Sequence, residues 1–163
     1  MSVLLYAVII LVLLFGMVVL FGAPYLPTMR AQTSAALDLL ALKKGQTLLE
    51  LGCGDGRVLK AAARRGLKAV GYELNPLLVI IARLHTWQYR QQVRVIWGNY
   101  WLNDWPKADG IFTFLLDRYM KRLDKTITQK YKGKKVKLVS VAFQIPDKKP
   151  TKTLAGVFLY QYK

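Results

Sequence analysis

Three glycines within five residues, set between an apolar run and a helical pattern, constrain this chain more than any other feature. Thr47-Leu48-Leu49-Glu50-Leu51 reads as a strand and Gly52-Cys53-Gly54-Asp55-Gly56 as a tight turn. Residues 57–65 then read as a helix with Val58, Leu59 and Ala62 inward. Glycine lets the backbone turn sharply and approach a ligand, while the helix amino terminus presents free N–H groups to it. Glu50 puts an acid at the strand end. Glu73, 21 positions beyond Gly52, closes a second apolar strand over 69–73, where an acid can accept both hydroxyls of a ribose.

The same alternation continues along the chain. Thr33 or Ser34 opens a helix running to Leu42 and closed by Lys43-Lys44-Gly45. Asn75 and Pro76 open a helix over 76–89, followed by a strand over 93–97 and an aromatic-rich connection over 99–105. A fourth strand over 110–114 leads to a helix over 117–130 with Tyr119, Met120, Leu123 and Ile127 inward. Strands over 137–143 and 155–162 complete a set of six. Strands alternating with helices of this length predict an α/β fold: a Rossmann-like, mostly parallel sheet of right-handed βαβ units, covered on both faces.

The length of 163 residues suits one domain of ordinary size, and 53% hydrophobic residues supply its core despite a net charge of +16. One cysteine and one histidine rule out a disulfide scaffold and a protein-only zinc site, so no metal is expected. The apolar residues are unevenly spread. Residues 3–23 carry no charge, and as a helix they span roughly 30 Å, the thickness of a bilayer core. No basic segment precedes them and Gly22-Ala23-Pro24 is a poor cleavage site, which predicts an uncleaved transmembrane anchor. Arg30, Lys43 and Lys44 follow it, placing the rest of a single-pass membrane protein on the cytoplasmic side or in an equivalent compartment. The expected organisation is an anchor (1–23), a linker and pre-domain helix covering the cofactor site (24–45), and the Rossmann-like domain (46–163).

The glycine turn lacks Gly-x-Gly-x-x-Gly spacing, and Asp55 stands where a pyrophosphate would want positive charge. No Gly-x-x-x-x-Gly-Lys-Ser/Thr run is present. A positively charged sulfonium cofactor tolerates such acids better. Residues 49–56, Leu-Glu-Leu-Gly-Cys-Gly-Asp-Gly, resemble the first motif of class I S-adenosylmethionine-dependent methyltransferases. Gly71-Tyr72-Glu73-Leu74-Asn75-Pro76 and Pro24-Tyr25-Leu26-Pro27-Thr28 resemble, more narrowly, the small membrane-anchored lysine methyltransferases. The mitochondrial members of that group modify the ATP synthase c-subunit or the adenine nucleotide translocase. The resemblance covers nearly the whole chain.

It implies S-adenosyl-L-methionine as cofactor and S-adenosyl-L-homocysteine as product. Glu50, Leu51, Gly52, Cys53, Gly54, Asp55 and Gly56 would surround the methionine part, with Glu73 on the ribose and Leu74 and Asn75 beside the adenosine. Asn99 matches a position next to the adenine, and Tyr25, Pro27 and Thr28 would fold over the cofactor from the membrane side. Asn75 reads equally as the cap of the helix that Pro76 opens. Two departures stand out. The fourth strand ends Phe114-Leu115-Leu116-Asp117 rather than Asn-Pro-Pro-Tyr, and residues 144–150 leave little room for a further helix, so the carboxy-terminal region is abbreviated.

A lysine acceptor must lose its proton before it can attack; a carboxylate can orient the amine and aromatic rings can line its channel. Asp117, Tyr100 and Tyr119 are the candidates for these roles, with Trp101 and Phe143 in neighbouring segments. Asp117 reads equally as a helix cap. Cys53 has no base beside it in the sequence and reads as a small filler of the turn, and His85 as a surface or packing residue. Residues 118–163 hold 13 Lys and Arg against 2 Asp and Glu, which fits an anionic lipid surface. The expected acceptor is a lysine of a membrane protein. The rival readings are an RNA methyltransferase using the basic surface, a lipid or quinone methyltransferase, and a non-catalytic membrane-bound scaffold.

Overall fold

The computed structural model describes Val3, Leu5, Tyr6, Val8, Ile9, Val12, Gly16 and residues 26–163. Helix α1 (Arg30–Leu40) precedes β1 (Thr47–Leu51), α2 (Arg57–Arg64), β2 (Lys68–Glu73) and α3 (Pro76–His85). A 3₁₀ turn at Trp87–Tyr89 leads to β3 (Val93–Trp97), β4 (Gly110–Thr113) and α4 (Asp117–Lys130). The chain ends with β5 (Val136–Val141), β6 (Lys152–Leu154) and β7 (Val157–Tyr162). All seven strands form one sheet in the order β3-β2-β1-β4-β5-β7-β6. The first five are parallel, and β7 runs antiparallel to both β5 and β6.

Side chains alternate across the sheet, which splits the core into two layers. Leu48, Ala69, Val95, Phe112 and Val139 meet α1, α2 and α3 on one face. Leu49, Leu51, Ile111 and Leu138 meet Met120, Leu123 and Ile127 of α4 on the other. Burial on both faces is why the strands read as nearly continuous apolar runs.

The sheet has one strand more than the six read from the sequence. β6 is three exposed residues, Lys-Thr-Leu, with no apolar pattern to mark it. Ala155 and Gly156, expected to start the last strand, instead form a hairpin turn at φ 50° and 73°. No helix lies between β5 and β6. Helix α1 begins at Arg30, three residues earlier than expected, because Thr33 is interior and its hydroxyl bonds back to the Met29 carbonyl at 3.1 Å. It ends at Leu40 rather than Leu42, as Ala41 turns left-handed at φ 45°. Helix α3 stops at His85 rather than 89, where the Thr86 hydroxyl folds onto the Ala82 carbonyl at 2.7 Å.

No described helix is long and apolar enough to cross a membrane. The expected anchor over 1–23 falls mainly outside the described residues, so the spanning helix has no counterpart among them. Val3, Leu5, Tyr6, Val8, Ile9 and Val12, which are described, are helical and exposed. Helix α1 packs on β5, β6, β7 and α2, so it is the segment before it, Leu26–Thr28, that reaches the cleft at the sheet's carboxyl edge.

Gly71 fixes how closely the glycine turn can lie on β2. A Cβ there would stand 2.7 Å from Cys53 Cβ and Leu59 Cδ1 and 2.8 Å from Cys53 Sγ. Gly71→Ala therefore overpacks the junction and lowers stability by ~1–3 kcal/mol, read as a shifted denaturation midpoint. Gly45→Ala, at φ +82° with nothing within 4 Å of its Cβ, costs only about 1 kcal/mol of backbone strain.

Candidate functional site

Beyond β1 the chain builds the sheet outward to β2 and β3, and with β4 it crosses to the other side. A crevice opens at the carboxyl ends of β1 and β4, the reversal point where open α/β sheets bind ligands. Glu50 and Leu51 of β1, Phe112 of β4, and Phe114 and Leu115 just beyond it form its floor. The turn Gly52–Asp55 and the start of α2, Arg57 and Val58, form one wall. Glu73 and Leu74 end β2 beside them; Asn99, Tyr100, Trp101 and Tyr119 face them, and Leu26, Pro27 and Thr28 approach from the pre-domain segment.

The turn holds its shape because three glycines sit at positive φ: 83° at Gly52, 52° at Gly54 and 79° at Gly56. The Gly52 and Cys53 amides both donate to the Tyr72 carbonyl, at 3.0 and 2.8 Å. Glu73 takes the next amide: its Oε2 accepts from Gly54 N at 2.8 Å, and its Oε1 from Leu74 N and Asn75 N at 2.9 Å each. Those bonds use three of a carboxylate's about four acceptor positions. One position therefore stays open for a ligand hydroxyl, rather than the two expected for a ribose.

The other two acids differ in charge state. Asp55 is penalised by burial, yet hydrogen bonds and charge from Arg57, with His85 behind, hold its carboxyl below the ordinary value. Arg57 reaches it through Nε at 3.0 Å and Nη2 at 2.8 Å, and donates from Nη1 to the Thr28 carbonyl at 3.3 Å. That guanidinium ties the segment over the crevice to the glycine turn. Glu50 is 3% exposed, and its Oε2 has no hydrogen-bond partner. Burial first, then Asp55 and Glu73, push its carboxyl well above the ordinary value, against an opposing hydrogen bond from the Leu59 backbone. Burial first, then Glu50, Glu73 and Asp55, push the Cys53 thiol up, which keeps it protonated and unreactive.

The opposite wall is aromatic. Tyr100 and Trp101 have ring centroids 4.8 Å apart, and Trp101 and Tyr119 6.3 Å. Arg122 lies 4.3 Å over the Trp101 ring and Arg118 4.8 Å over that of Tyr119. Burial, helped by Tyr119, raises the Tyr100 phenol far above its usual range, so it remains a neutral hydroxyl. Asn99 Oδ1 accepts from the Trp101 amide at 2.9 Å, which sets the entry to this wall.

The crevice thus brings together Pro27, Thr28, Glu50, Leu51, Gly52, Cys53, Gly54, Asp55, Glu73, Leu74, Asn99, Tyr100 and Tyr119. Other expected site residues lie elsewhere. Gly56 faces helix α3, where a Cβ would come within 3.1 Å of Ala82. Asn75 is fully buried, and its Oδ1 caps α3 by accepting from Leu77 N and Leu78 N. Asp117 is exposed and outside the lining, the first residue of α4; Leu116 occupies the cap position and the carboxylate suits the helix's positive end. Phe143 packs into the α4-side core. Tyr25 lies outside the described residues. Sequence reasoning missed the Arg57 brace and the apolar lining from Val58 and Leu78. The Asp-Gly-Arg run hinted at the Asp55–Arg57 pair, but no local pattern announces a guanidinium reaching 29 positions back to Thr28.

Comparison with known proteins gives the family and the fold. A family model described as the ANTKMT methyltransferase domain matches residues 50–152. The ATP synthase c-subunit lysine N-methyltransferase of Xenopus laevis is 29% identical over 126 residues, covering 76% of this chain and 55% of that protein. The adenine nucleotide translocase lysine N-methyltransferase of Mus musculus is 47% identical over 66 residues, 40% of this chain and 28% of that protein. The chain spans about half the length of the first curated relatives it matches. Among solved structures, an RNA methyltransferase from Salinibacter ruber in complex with S-adenosyl-L-homocysteine superposes with TM-score 0.76 at 25% identity, covering 84% of this chain and 92% of that one.

The crevice fits S-adenosylmethionine. Three acids against one paired arginine suit a ligand that carries a sulfonium and an ammonium, and repel a pyrophosphate. The unpartnered Glu50 oxygen awaits a donor, and the space at Gly52, with nothing within 4 Å of a Cβ position, admits a ligand against the backbone.

A pH dependence follows from Glu50. In the free chain its raised value means that Glu50's contribution to stability is fully present below about pH 4.5 and is lost as pH rises through the folded value. A cation in the crevice favours the ionised carboxylate, so affinity for S-adenosylmethionine rises with pH over that window, from about 4.5 up through the folded value. S-adenosylhomocysteine, lacking the sulfonium charge, gains less. Calorimetry across this range should show the divergence, and Glu50→Gln should flatten it; parallel, flat profiles in the unaltered chain count against the assignment.

Proposed function

The chain belongs to the ANTKMT methyltransferase family, and on that premise we propose that it transfers methyl groups to the side-chain amine of a lysine in a membrane protein. The observation that carries this reading is a single crevice with an anionic glycine turn on one side and an aromatic wall on the other. When bound, S-adenosylmethionine supplies an electrophilic methyl group on a positively charged sulfur. Glu73 and the turn it holds would orient the cofactor, with Glu50 and Asp55 favouring its positive charge. Tyr100, Trp101 and Tyr119 would line the path of the acceptor. Their rings accommodate a lysine's aliphatic stem, and by excluding water they favour the neutral amine needed for attack. Tyr100, held neutral, can accept a hydrogen bond from that amine without becoming a base.

Membrane attachment forms part of the same reading. Residues 3–23 are uncharged, and the described side chains among them are exposed apolar groups on a helix. Only a few residues separate them from Leu26 at the crevice. An acceptor lysine near the membrane boundary of an integral protein can therefore reach the site with its long stem. The basic flank after residue 23 favours the cytoplasmic side, or an equivalent compartment, for the catalytic domain.

Native membranes incubated with the full chain and methyl-labelled S-adenosylmethionine test the acceptor class. Label should appear in a protein band, and mass spectrometry should place it on lysine. Raising salt should weaken modification more on anionic than on neutral vesicles. Label confined to RNA would overturn the lysine reading in favour of the basic-surface alternative, and label extracted with lipid would point to a lipid or quinone acceptor.

A further inference from the structure

Five of the domain's exposed large apolar side chains lie along the carboxyl edge of the sheet, where the crevice opens, spread from β3 at one end of the strand order to β6 at the other. Leu26 and Met29 precede α1 beside the Arg57–Thr28 contact. Trp97 is the last residue of β3, its indole N–H donating to the Leu74 carbonyl at 3.0 Å with most of the ring left outside. Leu102 sits in the following turn. β6 runs in the same direction as β5, because both are antiparallel to β7, so Leu154 at its end reaches the same edge. In the hairpin turn behind it, a Cβ placed on Gly156 would come 4.0 Å from Gln32 Nε2 in the first turn of α1. These five side chains are between 49 and 82% exposed.

Cations stand among them. Arg30 opens α1, and Arg118 and Arg122 occupy the first two turns of α4, their guanidinium groups laid over Tyr119 and Trp101; Asp117 is the acid in that first turn. Apolar side chains with arginines flattened on aromatic rings match the boundary of a bilayer, where acyl chains and headgroup phosphates lie a few ångströms apart. The position of this face in the chain selects the same partner. Three residues from Ala23 to Leu26 span at most about 11 Å, so the face cannot move far from the end of the uncharged 3–23 stretch.

We propose that the carboxyl-edge face formed by Leu26, Met29, Trp97, Leu102 and Leu154 inserts into the lipid interface and sets the crevice mouth against the membrane. The domain is then held by two attachments, and the acceptor enters from the lipid side. The flank stripe of Ile80 and Leu84 on α3 with Trp87 in the following 3₁₀ turn stays in water. This orientation rests on the lysine-methyltransferase reading only for its consequence on acceptor choice; the face itself is testable without any activity.

The buried Cys53, its thiol kept protonated, permits selective labelling of introduced cysteines. Full-length Met29→Cys, Leu102→Cys and Leu154→Cys, with Ile80→Cys and Leu84→Cys on the flank, would carry an environment-sensitive fluorophore on phosphatidylcholine–phosphatidylserine vesicles. S-adenosylhomocysteine binding would verify that each labelled chain is folded. The first three labels should shift to the blue and be quenched by lipid-borne quenchers, while the flank labels stay accessible to iodide. Iodide access at all five positions on a vesicle-bound chain, protection of the flank instead, or no vesicle binding would each overturn the proposal. Leu102→Asp combined with Met29→Asp should reduce modification of a membrane-embedded acceptor on the order of tenfold. Cofactor binding should not change. Equal activity of this variant on embedded acceptor would contradict the orientation while leaving the lysine reading in place, whereas no lysine methylation by the unaltered chain would sink that reading alone.

Discussion

The site depends on a carboxylate that holds backbone. Glu73 closes β2, and its two oxygens accept from the amides of Gly54, Leu74 and Asn75. Charge-assisted hydrogen bonds of this kind are roughly twice as strong as neutral ones, and here they join two segments 19 residues apart. Without them the glycine turn would be held to β2 only by the Gly52 and Cys53 amides on the Tyr72 carbonyl, and the first turn of α3 would lose its lead-in. Gly71 allows the arrangement from below, because any side chain there would push Cys53 and Leu59 away. A ligand that bonds the remaining acceptor position therefore meets a preorganised surface.

Electrostatics then divides the crevice. Asp55 is kept charged by Arg57, whereas the buried Glu50 is pushed toward its neutral form. This leaves the glycine-turn side able to gain from a cation at little cost in unpaired buried charge. Across from it, Tyr100, Trp101 and Tyr119 offer π faces and no carboxylate. The division matches a reaction in which a positive sulfur is bound on one side and an amine must lose its proton on the other. It also explains why Asp117, attractive in sequence beside the end of the fourth strand, is not needed as a lining group.

Much of this is legible in the amino-acid sequence alone. The alternation of apolar strands with amphipathic helices points to the α/β class, and the Glu50–Gly56 turn with Glu73 marks the crevice, since glycine chemistry and strand-end acids are local signals. What escapes is of two kinds. β6 escapes because three exposed residues paired only on one edge carry no hydrophobic period, and helix α1's true ends escape because Thr33 and Ala41 act through backbone conformation rather than residue type. The Arg57 brace and the α3 cap by Asn75 escape or stay ambiguous because both depend on where a side chain points in space. Class I family resemblance narrows the chemistry further than physics does: acids and glycines alone tell a cationic ligand from a pyrophosphate, but not which cation.

The most direct measurement is the map of backbone amide shifts as S-adenosylhomocysteine is titrated into the full chain. The largest changes should fall on residues 52–55 and on Leu74 and Asn75, with Asn99 and Trp101 following and NAD producing none of them. Shifts gathered instead around the separate basic hollow lined by Lys107, Lys130 and Lys134, or an equal response to NAD, would contradict the central claim that the Glu73-held turn is the methyl-donor site.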